Sequence, residues 1–150
     1  MRARTARFWK MDRGSTLVEF SLIAFMFIMV LLGVVEMGRM VLVYTTVANA
    51  ARAGARYAIV HGGDRTGSGV NGPSGPGSTT QIQTVVQNFA SAGLVNVSNL
   101  NVNVTYPNGA NTAGSPVSVT VSYTYDPLIP FFSTLLNTTI GSTSEGVITF

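Results

Sequence analysis

From Phe20 to Val35 no side chain is charged, and the apolar stretch extends back to Ser15 and on to Val43 with only Glu19, Glu36 and Arg39 as charged interruptions. A membrane-spanning helix needs roughly 20 residues, a length that Leu17 to Glu36 supplies. The rival reading is a core helix of a soluble protein. A run apolar on every helical face argues against it, because a chain of 150 residues builds too small a domain to cover all sides. Charge content points the same way, since 10% of residues are charged where a soluble domain has about 25%. Cysteine is absent, which excludes a disulfide framework or a thiolate metal site and permits export without proving it.

The net charge of +3 would suggest a nucleic-acid partner if it were spread over a domain. Instead Arg2, Arg4, Arg7, Lys10 and Arg13 all precede the apolar run, and the remainder is about neutral. No nucleic acid is therefore expected as a partner. Basic residues stay on the cytoplasmic side, so this cluster places the amino end inside and everything after the span outside. A secretory signal peptide cut at Ala48-Asn49-Ala50 is the competing reading. Those alanines lie well past the apolar run, inside a segment that itself reads as helix, and the run exceeds the usual h-region of about 7–15 residues.

Glu19 sits just inside the span. An ionised carboxylate is disfavoured by about 2.5–3.5 kcal/mol at mid-membrane and by less near an interface, so it needs a partner. Its neighbours at helical spacing are Ser15, Thr16, Leu22 and Ile23, none of them cationic. The partner must come from elsewhere, unless Glu19 lies at the cytoplasmic interface and reaches water or Arg13.

The segment Arg13-Gly14-Ser15-Thr16-Leu17-Val18-Glu19-Phe20 resembles the processing site of type IV prepilins, in which a basic leader ends in Gly and the mature chain has Glu at its fifth position. The resemblance implies cleavage after Gly14 by a prepilin peptidase, with Ser15 as the new amino terminus. It also implies that Glu19 and Phe20 act in assembly, the carboxylate meeting the freed amine of Ser15 in this or an adjacent subunit. Gly14 has a plainer reading as a turn residue. Ser15 departs from the Phe that begins many major pilins, and Met11 is an alternative start that shortens the leader to Met11–Gly14.

Beyond the span, Tyr44, Val47, Ala48, Ala51, Ala55, Ala58 and Ile59 recur at intervals of three and four, with Thr45, Asn49, Arg52 and Arg56 opposite. This predicts an amphipathic helix continuous with the span, from about Ser15 to Val60. Gly33-Val34-Val35-Glu36-Met37-Gly38-Arg39, followed by Asn49-Ala50-Ala51-Arg52-Ala53-Gly54-Ala55-Arg56-Tyr57-Ala58, resembles the TadE-like family. That resemblance covers about a third of the chain. It implies a minor pilin or pseudopilin of the tight-adherence pilus, held in the bacterial cytoplasmic membrane, with other pilin and pseudopilin subunits and the pilus secretion machinery as partners. Glu36 and Arg39 can pair at i,i+3 or simply mark the interfacial end of the span. Arg52 and Arg56 are like charges at i,i+4, so they either face solvent or await an acidic partner.

The expected organisation is a leader over residues 1–14, a transmembrane helix over 15–43, an amphipathic extension over 44–61, a Gly/Ser/Pro-rich linker or surface loop over 62–80, and a small domain over 81–150. In that domain Ile82, Val85, Val86, Phe89 and Leu94 predict a short helix stopped by Gly93. Alternation over residues 101–106 and 117–125 predicts two strands, and residues 138–150 a third. Leu128–Leu136 reads as a short helix or apolar wedge. The fold class is α+β, a small antiparallel sheet laid on the long helix. With one His, no Cys and few acids outside the span, no catalytic set can be assembled, so no enzyme, metal, cofactor or small-molecule substrate is expected. The alternative function is an uncleaved, membrane-anchored envelope-binding or adhesin-like protein.

Overall fold

The computed structural model describes residues 12–149, so the basic leader before Asp12 lies outside the described residues. The chain divides into two compact units, Met1–Gly38 and Arg39–Phe150. Helix α1, Asp12–Val60, contributes to both. No proline precedes Pro73, and the helix ends where Gly62 and Gly63 follow.

In the first unit the described apolar side chains stand largely in the open. Leu17 is 70% and Phe20 is 69% exposed, and the most apolar stretch of α1 is long enough to cross a membrane with none of it buried within the protein. A helix with no covered face has no reason to fold in water, whereas lipid solvates such a surface on all sides. Glu36 is the exception here, at 1% exposure.

The second unit holds the core. From α1 it takes Val43, Val47, Ala50, Ala51, Ala55 and Ala58, all buried. The covered stripe is thus rotated from the one expected: Tyr44 is 58% exposed and Ala48 only half-buried. Side-chain size explains the rotation. Along this stripe lies Gly54, where a Cβ would stand 2.5 Å from Val86 Cγ2 and 3.1 Å from Val119 Cγ1. Small residues let the backbone approach this closely, and a face carrying Tyr44 could not.

Helix α2, Thr80–Ala90, buries Ile82, Val86 and Ala90 on one line of i,i+4 positions. Phe89, one of the apolar positions that predicted this helix, falls one position off that line and is 46% exposed. Gly93 follows the helix as anticipated, but for lack of room rather than as a left-handed cap: its φ is not positive, and a Cβ there would overlap the Thr46 side chain.

The sheet has three antiparallel strands in the order β1, Leu100–Thr105; β2, Pro116–Tyr125; and β3, Thr138–Val147. Val102 pairs with Val121, and Val121 with Ser142. In β2 the period of two is strict, with Val117, Val119, Val121, Tyr123 and Tyr125 all buried. Short turns at Pro130–Phe132 and Ser133–Leu136, the latter helix α3, lead into β3. Beyond β3 the chain is tied back to the end of α1, where Thr149 N donates to Ile59 O at 3.0 Å. These elements make an α+β fold, the class expected from the sequence.

The loop over residues 61–79 is held at Ser74, whose N and Oγ both donate to His61 O, at 2.6 and 2.8 Å. Tyr106 Oη reaches Ser74 Oγ at 3.5 Å. Burial pushes the Tyr106 phenol above its ordinary value, with the Ser74 hydrogen bond pulling weakly the other way. The folded chain therefore holds this proton more tightly than the unfolded chain, whose tyrosines titrate near pH ~10. The resulting stability is complete below that pH and is lost as pH rises through the folded value. Tyr57 is raised by burial too, and Arg65 opposes it. Tyr106→Phe is expected to leave the denaturation midpoint at neutral pH nearly unchanged and to flatten its alkaline decline. An unchanged alkaline slope in urea titrations would show that Tyr106 does not contribute.

Candidate functional site

Two groups of residues merit a functional reading, one on the first turns of α1 and one on its C-terminal half. Gly14 lies within the helix, so it is not a turn residue, and among the described residues nothing stands within 4 Å of a Cβ built on it. Neither backbone conformation nor packing requires glycine there. Ser15, Glu19 and Phe20 follow, all exposed. The nearby Ser21 hydroxyl is satisfied internally, donating to Val18 O at 2.8 Å. Glu19 forms no ion pair among the described side chains, a set that does not include Arg13.

Of the pair at the end of the apolar run, Glu36 is buried and Arg39 is half-buried. The Arg39 guanidinium lies 5.0 Å above the centre of the Tyr125 ring, and its Nη2 donates to Asp126 O at 3.0 Å. The first of these contacts is a cation–π arrangement worth about 0.5–1 kcal/mol at a partly exposed site. Arg39 thus clasps the end of β2. No reading of helical spacing could have found this, because the partners are far away in the chain.

Arg52 and Arg56 point outward on the same helix. Arg52 Nη1 donates to Asn49 Oδ1 at 3.1 Å, and neither arginine meets a carboxylate among the described residues. Together with Asn49, Ala53 and Phe89 they line an open hollow of about 390 Å³ between α1 and α2. Phe89 is the residue that sequence reasoning missed here, having served only as one of the apolar positions that predicted the helix. The lone histidine, His61, has its Nδ1 2.9 Å from Tyr57 O and its ring stacked on that of Tyr57 at 3.8 Å, a local closure of the helix end.

No curated protein and no solved structure matches the chain. The long exposed apolar helix suggests membrane anchoring. Residues 14–56 match the family model described as TadE-like protein, the family that the sequence resembles, and so α1 carries the TadE-like segment of this chain.

Proposed function

We propose that this protein is a structural minor pilin of the tight-adherence pilus system, inserted in the cytoplasmic membrane and cleaved after Gly14 by a prepilin peptidase. Its amino end is inside and its α+β domain outside. The observation that carries the reading is Gly14 itself. The family match begins at this residue, and neither packing nor backbone geometry calls for glycine there. In a helix, glycine is about 1 kcal/mol less favourable than alanine, so a constraint from outside the fold best accounts for it. A peptidase that needs a small residue before the cut is such a constraint.

Cleavage also creates the amine that Glu19 lacks. In lipid, the ammonium of Ser15 on one subunit and the carboxylate of Glu19 on another form a charge pair, and each subunit thereby registers against the next. Mass analysis of the protein from native membranes tests the first step: loss of residues 1–14 supports the pilin reading, and an intact chain supports an uncleaved anchor. Glu19→Val is expected to insert and be cleaved normally while its incorporation into assemblies falls several-fold, by about the energy of one partly desolvated charge pair. Incorporation at the wild-type level, measured in sheared filament fractions, would remove Glu19 from the mechanism.

A further inference from the structure

The groove between α1 and α2 continues beyond Arg52 and Arg56. A second open hollow of about 510 Å³ shares Asn49 and Phe89 with the first and reaches Leu42 and Ala92. Phe89 is 46% exposed, so apolar surface stands open in the middle of the groove, while Leu42, 54% exposed, lies in the last turn of the expected span and makes that end apolar. The other end is cationic, since Arg52 and Arg56 lie one helical turn apart on α1, and α2 has no acidic residue to answer them. From Leu42 to Arg56 the groove follows α1 for about 20 Å.

We propose that this groove docks a helix of another protein subunit, apolar at one end and bearing two carboxylates one turn apart at the other. Carboxylates at i,i+3 or i,i+4 stand about 6 Å apart, the same separation as the two arginines they would meet. The occupant is not a second copy of this chain. Its acidic residues are Asp12, Glu19, Glu36, Asp64, Asp126 and Glu145, no two of which fall within one helical turn. A lipid headgroup fits less well, because it offers a single phosphate and because Thr45, Asn49 and Asn88 give the hollows an amide and hydroxyl lining suited to a polypeptide. The proposal draws on the pilin reading only for the source of the helix, a neighbouring subunit of the same assembly.

The test uses the full chain in uncharged phosphatidylcholine nanodiscs. The probe is a fluorescent helical peptide of roughly 15 residues, one groove length, with a pair of Glu at one end and a pair of Leu at the other; its counterpart has Lys for Glu. The Glu peptide is expected to bind, less tightly as salt is added. Arg52→Glu combined with Arg56→Glu should weaken it by about tenfold and let the Lys peptide bind instead. Phe89→Ala should weaken both pairings. The charge swap guards against misfolding, since an unfolded variant would bind neither peptide. Equal binding of the Glu and Lys peptides to the wild type would overturn the proposal. So would competition by phosphatidylglycerol vesicles with no peptide binding, which would mark a lipid site. Mass analysis of the protein from native membranes keeps the two readings apart: a leader retained there removes the pilin role, while binding of the Glu peptide by the nanodisc preparation leaves the groove standing.

Discussion

Gly14→Val is expected to hold the protein at full length in the membrane. A cleavage enzyme that accepts glycine before the scissile bond has a pocket shaped around a hydrogen atom. A branched side chain adds three carbons there, and each misfitting methylene-sized group alters discrimination by about 1–3 kcal/mol. Processing should therefore slow by about a hundredfold or more. The described residues give no competing explanation, because among them a Cβ at this position meets nothing within 4 Å and the helix around it stays intact. The measurement is the ratio of full-length to shortened chain in pulse-labelled cells. Cleavage at the wild-type rate would mean that Gly14 is not the recognition residue, and the proposed role would lose its main support.

The second large effect concerns Gly54. Gly54→Leu should destabilise the α+β unit by about 3 kcal/mol, the upper part of the range for overpacking a tight core. Two effects oppose each other at this position. Any side chain improves helix propensity over glycine, by up to about 1 kcal/mol for alanine. Against this, even the first carbon would lie 2.5 Å from Val86 Cγ2, and Val86 and Val119 are both wholly buried, so neither can swing aside into solvent. Overpacking wins for leucine by a wide margin and for alanine by a narrow one. Thermal or urea unfolding followed by tyrosine fluorescence would read the difference. A leucine variant as stable as the parent would mean that α1 does not pack this closely on α2 and β2.

The legible parts of this protein were those governed by local patterns. Alternation in β2 is uninterrupted from Val117 to Tyr125, so period two alone located the strand. An uncharged stretch as long as Phe20–Val35 admits few structures, and the helix was plain. The covered face of the C-terminal half of α1 was harder. Tyr44 and Ala48 fit a helical apolar stripe as well as Val43 and Ala50 do, because that half of α1 is apolar over a wide arc. The exposure of Phe89 was hidden for a similar reason: in an eleven-residue helix a position one step off the buried line still satisfies the spacing rule.

The candidate site divides along the same boundary. The roles proposed for Gly14, Ser15, Glu19 and Phe20 rest on sequence alone, because their argument needs only the order of residues and the polarity of the solvent around them. The surroundings of Arg39 and of Arg52 and Arg56 were not, since a cation over the Tyr125 ring and a groove floored by Phe89 come from residues far apart in the chain. By itself the sequence determined that a long apolar helix precedes a small α+β domain, because hydropathy and periodicity are properties of neighbouring residues. Only the tertiary structure decided which face of that helix is covered and which side chains are left to meet a partner. That choice depends on how closely two backbones can approach, and here a single missing Cβ at Gly54 sets the distance.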